Sequence, residues 1–382
     1  MSSRIISGML LLGLSITQAV AANKISSNQF NPAISMILNG TYSQFSNDPE
    51  NYSISGFALA EETGPGEEGF SLGESELNIS ANVDDLFYGH ITVALTPENS
   101  VEVEEAYIET LGLGDGLTIK GGRFFSGIGY LNQHHAHSWD FVDQPLAYKA
   151  MLGNQLSDDG VQVRWLAPTD TYLEFGIEGL RGDGFPAGNA ANGGKGTMTF
   201  FTHLGGDISR SQSWSAGLSF VSAEADARET GAPAETFTGD SEMLILDIVW
   251  KWAPEGNIKQ ENLKLQAEYF SRNEEGIYAG NNYDASQSGY YLQAVYQFRP
   301  KWRVGLRYDA LSADDPGVAF AGTALDTLGH DPERWSAMID WSRSEFSRLR
   351  LQYNVDDSNP DQDSQFYLQY TMSLGAHGAH RY

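Results

Sequence analysis

The sequence contains no cysteine among its 382 residues. That excludes a disulfide framework and any thiolate metal or redox site, so an exported form must be held by a closed sheet or a large core. Positive charge is scarce: 23 Lys and Arg stand against 50 Asp and Glu, a formal net charge of −27. A chain this acidic repels nucleic acid, and no basic patch or zinc knuckle is present. Long apolar runs are also missing. Beyond residue 22 no stretch approaches the ~18 apolar residues a membrane helix needs. The chain has no H-E-x-x-H motif and no evident nucleophile elbow, so a catalytic role is not expected.

One shorter apolar run opens the sequence. Arg4 precedes Ile5 to Ile16, interrupted only by Ser and Gly, and Ala19-Val20-Ala21 follows as a small-x-small cleavage site. This pattern predicts a signal peptide over residues 1–21 and a single mature domain over 22–382. Hydropathy alone would class that domain as soluble. The same average results when lipid-facing apolar residues alternate with polar ones in a membrane β-barrel. The 18 Tyr, 19 Phe, 8 Trp and 41 Gly favour the barrel, because aromatic rings settle at both membrane interfaces.

Alternation with period two recurs along the chain. Leu77, Ile79, Ala81 and Val83 oppose Glu74, Glu76, Asn78, Ser80 and Asn82. Leu263, Leu265, Ala267 and Tyr269 oppose Lys264, Gln266 and Glu268. Trp302, Val304, Leu306 and Tyr308 oppose Arg303, Arg307 and Asp309, and Leu349, Leu351, Tyr353 and Val355 oppose Arg348, Arg350, Gln352 and Asn354. Each run is about ten residues, the length a tilted strand needs to cross the hydrocarbon layer. The strands of a soluble sandwich are shorter, nearer six residues. The predicted fold is an all-β, transmembrane antiparallel up-and-down barrel of about 16 strands.

The connections support this. Asp84–Leu86, Pro168–Asp170, Arg299–Lys301 and Ser344–Phe346 are short turns. Segments 46–69, 124–159, 181–195, 226–240, 273–285 and 312–333 are long and polar, some strongly acidic, as at Glu61-Glu62 and Glu67-Glu68. Short periplasmic turns and longer outer loops are expected of an outer-membrane barrel, with both chain ends in the periplasm. The last segment is amphipathic through Phe366, Leu368, Tyr370, Met372 and Leu374 and stops at Tyr382, like the terminal assembly signal of such barrels.

Several local sequences resemble the phosphate-selective porin O and P superfamily. They are Ala106-Tyr107-Ile108, then Gly121-Gly122-Arg123-Phe124-Phe125 through Gly129, Asp140-Phe141, Pro145-Leu146 and Gly160-Val161-Gln162. The resemblance covers about a fifth of the chain. It implies a sixteen-stranded channel, usually a homotrimer, with the long 124–159 loop folded inward as a constriction. The lysine-rich ladder expected for phosphate is absent. Outer-membrane lipid, lipopolysaccharide and the barrel assembly machinery are the partners this reading implies.

Three groups of residues carry candidate chemistry. His134, His135 and His137, followed by Asp140 and Asp143, combine imidazoles and carboxylates suited to Zn²⁺, as a bound or transported ion rather than a required cofactor. A similarity to porin-like proteins of zinc-responsive uptake systems points the same way. His377 and His380 near the C-terminus form a weaker pair, since alternation points them apart. Glu74, Glu76 and either Glu102 or Glu105 are expected to face Arg303, Arg307, Arg348 and Arg350 across the lumen, with Lys120 and Arg164 also lining it. Opposed acidic and basic walls set up a transverse field that governs selectivity. Passive diffusion of small solutes, with divalent cations such as zinc as the sharper expectation, follows. An anion or phosphate channel and a non-transporting adhesin-like or structural barrel are the alternatives.

Overall fold

The computed structural model describes residues 32–60, 63–96, 100–189, 196–230 and 235–375. The expected signal peptide, Glu61-Glu62, His377, His380 and Tyr382 lie outside the described residues.

Each alternating segment is a strand, because alternation gives a strand one apolar and one polar face. The strands are β1 (Ala33–Phe45), β2 (Gly69–Ser71), β3 (Ser75–Asn82), β4 (Phe87–Leu95), β5 (Val101–Thr110), β6 (Leu117–Phe125), β7 (Ser157–Leu166), β8 (Tyr172–Leu180) and β9 (Thr197–Ser209). They continue as β10 (Gln212–Thr230), β11 (Glu235–Trp252), β12 (Asn262–Tyr278), β13 (Asn281–Arg299), β14 (Trp302–Ala313), β15 (Glu333–Ser344), β16 (Ser347–Asp357) and β17 (Asp363–Gly375). From β3 onward consecutive strands pair antiparallel, and β1 pairs both β3 and, from Ser35↔Gly375 to Phe45↔Gln365, β17, closing the sheet. The result is a closed sixteen-stranded barrel with one extra strand. The short β2 pairs the outer half of β1 while β3 pairs its inner half, so the two share one place in the wall. Closure leaves no edge whose amides would be stranded in lipid.

The barrel is inside out relative to a soluble protein. Arg272, Arg307, Arg334 and Arg350 are among the largest fully buried side chains, while Leu246, Ile248, Leu306 and Trp335 are exposed. Apolar residues outside and charge inside are what a lipid-facing barrel requires. Aromatic rings gather on the outer surface at one level: Tyr290 lies 6.1 Å from Tyr308, which lies 4.6 Å from Trp335.

Two connections differ from expectation. Segments 226–240 and 273–285 are largely strand: β10 and β11 run on to Thr230 and Glu235, and β12 turns into β13 through Ala279-Gly280 alone. The cause lies in the outward face. On β11 it changes from Thr238, Asp240 and Glu242 to Leu244, Leu246 and Ile248, and on β12 from Tyr269 to Ser271, Asn273 and Glu275. Beyond that boundary the hairpins stand in water. A polar outer face there hides the alternation without breaking the ladder.

Candidate functional site: the inward loop and the lumenal walls

The 126–156 segment between β6 and β7 folds into the barrel, as expected. Its neck is closed by Ser126 N donating to Leu156 O at 2.9 Å, and by Asn132 Nδ2 donating to both Ser126 O and Leu156 O at 2.9 Å. Glu178 of β8 accepts from Gly127 N at 2.8 Å and from the Ser126 hydroxyl. Glu268 of β12 accepts from Tyr130 N (3.0 Å), Leu131 N (3.1 Å), Tyr148 Oη (2.9 Å) and Tyr291 Oη (2.5 Å).

Within the loop, Leu146–Leu152 form a one-helix plug, α1, with all seven side chains buried. Pro145 starts it and Gly153, at φ 59°, ends it in the left-handed conformation glycine tolerates. Asp309 of β14 accepts from Leu146 N at 3.0 Å and so caps a helix that has no cap of its own. In the wall beneath, a Cβ at Gly289 would overlap the Leu311 side chain, with the Ala147 methyl in ordinary contact at 3.4 Å, and one at Gly305 would stand 2.7 Å from Met338 and 3.2 Å from the Phe141 ring.

On one side the loop is bolted to basic residues. Asp140 meets Lys264 and Arg303, the latter at 2.9 Å. Asp143 meets Arg307 at 2.9 Å and Arg334 at 2.8 Å, with Gln352 at 2.7 Å. Burial alone would raise both carboxyls. The cations outweigh it and hold them well below the usual range. Arg348 donates to His137 O at 2.7 Å, and Arg350 to Trp139 O at 2.5 Å. Arg307 and Arg350 therefore hold the loop rather than face open water. Asp309, Asp340 and Asp356 lie among these arginines and neutralise much of the wall.

On the other side the loop meets carboxylates. His135 Nε2 lies 2.9 Å from Glu105 Oε2 of β5, and His137 Nδ1 lies 2.7 Å from Glu76 Oε1 of β3. His135 Nδ1 faces Glu104 Oε2 at 3.3 Å and Glu76 Oε2 at 3.6 Å. Burial disfavours the charged imidazole, yet Glu104, Glu105 and Glu76 outweigh it and hold the pKa of His135 well above the ordinary value. A β-bulge at Glu104 explains why two neighbouring residues, Glu104 and Glu105, reach the same loop side chain.

The four residues expected to share a metal are thus divided. His135 and His137 stack at 5.8 Å on the acidic side. Asp140 is committed to Lys264 and Arg303. His134 packs against Tyr130 at 4.9 Å, and burial with the Lys264 charge pushes its pKa down to about 4. Of the expected lining residues, Arg164 pairs with Glu109 at 2.8 Å, and Lys120 sits 4.5 Å over the Tyr107 ring. Glu102 accepts from the Ser100 hydroxyl at 2.9 Å. Side chains that keep some contact with water include Arg164 (27%), Arg303 (24%), Lys264 (23%), His135 (17%) and Glu104 (14%), which marks the hydrated part of the lumen. Sequence reasoning missed Glu268, Glu178 and Glu104. Glu268 and Glu178 are inward acids in alternating strands and carry no further signal.

His203, which has no evident partner in the sequence, reaches Gly129 O at 3.2 Å and Glu174 at 3.9 Å. Contrary to the expectation that no G-x-S-x-G is present, Gly69-Phe70-Ser71-Leu72-Gly73 matches it by spacing. The structure puts Ser71 in β2 opposite Thr41, with strand rather than helix following, so no nucleophile elbow forms.

An apolar exterior, a charged interior and a loop folded across the lumen define a transmembrane β-barrel with an inward loop. No family model matches the sequence. A protein of Aquifex aeolicus (strain VF5), described as uncharacterized, is 31% identical over 340 residues, covering 82% of this chain and 70% of that one; the chain belongs to the same family. Among solved structures, the outer-membrane channel DcaP of Acinetobacter baumannii is similar at TM-score 0.57 and 14% identity, over 90% of this chain and 97% of that one. OprB of Pseudomonas putida matches at TM-score 0.58 and 12% identity, over 90% and 94%. The trimer form of OmpT, an outer membrane protein of Vibrio cholerae, matches at TM-score 0.56 and 11% identity, over 90% and 99%. At such identities the likeness establishes the fold.

Proposed function

We propose that this protein is an outer-membrane channel for passive diffusion of small hydrophilic solutes and ions, performing no chemistry on them. The observation that carries this reading is the loop anchored across a hydrated, charged lumen inside an apolar exterior. Cations are the favoured solutes, divalent ions such as zinc first. Arg303, Arg307 and Arg334 of β14 and β15 are matched by Asp140, Asp143, Asp309, Asp340 and Asp356, and Arg348 and Arg350 of β16 are occupied by loop carbonyls, whereas β3 and β5 gather Glu76, Glu104 and Glu105 around imidazoles. A surplus of negative charge on a low-dielectric wall concentrates cations.

Homotrimeric assembly fits the trimer form of the similar OmpT barrel. The other partners of this reading are outer-membrane lipid, lipopolysaccharide and the assembly machinery. The anion or phosphate channel suggested by resemblance to the O and P porins is the second reading, carried by Arg303 and Arg164 at the hydrated surface.

Purified protein in planar bilayers under a KCl gradient separates them. Ohmic steps with a reversal potential of cation-selective sign are expected. The opposite sign would replace the cation reading with the anion one. A folded barrel without conductance would leave a structural or adhesin-like role.

A further inference from the structure

The acidic side of the constriction holds three side chains whose donor atoms converge. One carboxylate oxygen each of Glu76 and Glu104 and the Nδ1 of His135 all lie within 4.8 Å of one another. His135 Nδ1 stands 3.3 Å from Glu104 Oε2 and 3.6 Å from Glu76 Oε2. Two ligands on a tetrahedral ion with bonds of about 2.0–2.1 Å stand roughly 3.3–3.4 Å apart. The spacing therefore suits a small divalent ion with little movement.

A second observation is independent of the charge. His135 Nδ1 and Glu104 Oε2 are both sequestered from solvent, and neither makes a hydrogen bond of acceptable geometry although they face each other. Buried polar atoms are normally well paired, and this ion pair, 3.3 Å apart without good hydrogen-bond geometry, is one a cation seated between the two atoms would satisfy better. The outer contacts are also those of a ligand set. Glu105 accepts from His135 Nε2 at 2.9 Å, so Nδ1 is the nitrogen that supplies a lone pair once its proton is displaced, and His137 takes the other oxygen of Glu76 at 2.7 Å. A carboxylate behind a ligating imidazole fixes its tautomer and raises its basicity.

We propose that Glu76, Glu104 and His135 form a binding site for a Zn²⁺-class divalent cation that ties the inward loop to β3 and β5. One nitrogen and two carboxylate oxygens leave a fourth position open to water, the pattern of an exchangeable site rather than a closed structural one. The donor set favours a borderline transition ion over Mg²⁺, which demands octahedral oxygen ligation and dehydrates reluctantly. Binding must displace any proton on His135, so affinity rises with pH. Binding itself does not depend on the channel reading. Only its effect on current does, since an ion there would add positive charge beside the hydrated lumen.

The test is calorimetric titration of the detergent-folded full chain with ZnCl₂ and with MgCl₂, after treatment with chelator. One saturable Zn²⁺ site per chain is expected, with no saturable Mg²⁺ heat. Glu104→Gln and His135→Gln should each weaken Zn²⁺ at least tenfold. Glu105→Gln, which leaves the ligands in place, should weaken it less and serves if either ligand variant fails to fold. Co²⁺ titration should give a visible absorption band that the His135→Gln variant loses. Absence of saturable Zn²⁺ binding, or binding unchanged in the folded variants, would overturn the site. Zn²⁺ binding without conductance would count against the channel alone, and conductance without Zn²⁺ binding against the site alone.

Discussion

The carboxylate of Glu268 accepts two backbone amides and two tyrosine hydroxyls, joining the loop to the wall at 2.5–3.1 Å. Each donor left unpaired in a buried setting costs about 1–3 kcal/mol. Glu268→Ala should therefore weaken docking of the loop by about 3–5 kcal/mol, allowing for hydroxyls that turn elsewhere. The barrel ladder does not involve this side chain. Single-channel current should become larger and noisier while the folded barrel persists, and Glu268→Gln should fall between. An unchanged current would show that the loop is held by other contacts. His134 makes a second residue-scale prediction. Its native pKa of about 4 lies below the value of about 6.5 for a free imidazole, so the undocked loop binds the extra proton. Docking must then weaken as pH falls from about 6.5 toward 4. His135, with its pKa raised, works in the opposite direction: its contribution is full well below about 6.5 and is lost as pH rises from there through its elevated pKa. Asp140 and Asp143 are held down and begin to matter below about pH 5. Current noise should rise between pH 6.5 and 5, and His134→Phe should flatten that rise.

Among the elements, the β12–β13 hairpin shows why strands were legible and their ends were not. Within lipid the outward face must be apolar, so alternation is visible from Leu263 to Tyr269. Above the aromatic level the outward face is Ser271, Asn273 and Glu275, and hydropathy no longer distinguishes strand from loop. The turn itself is Ala279-Gly280, at φ 48° and 80°. Two positive φ values make a type I′ turn, where Asn-Gly is preferred because a Cβ-bearing residue such as Ala is strained. Ala279→Asn should stabilise the hairpin by about 0.5–1 kcal/mol, read as slower amide exchange from Tyr278 to Tyr283 rather than as a large change in melting. Faster exchange would indicate a different turn. The helix α1 was not legible at all. Seven residues are too few for a periodic signal, and it exists because Asp309 caps it and the barrel interior buries all seven of its side chains.

For the whole molecule, the acidic composition acquires a direction only after folding. Acids on the basic side are spent neutralising arginines, and the loop is stretched between the two walls by Asp140, Asp143, His135 and His137. The barrel, its strand alternation and the inward-facing arginines were legible in the residues, while entry of the long loop was implied only by the family resemblance. Lipid imposes a local rule, apolar outward and polar inward, and a local rule is written residue by residue. The partners were set by the folded chain alone. It sent Asp140 away from the histidines, brought Glu76, Glu104 and Glu105 to them from β3 and β5, and placed Glu268 under the loop. Those contacts join residues far apart in the chain, 138 positions for Tyr130 with Glu268 and 163 for Asp140 with Arg303, and depend on where closure of the sheet carries each strand around the circumference. No neighbour in the chain encodes that position.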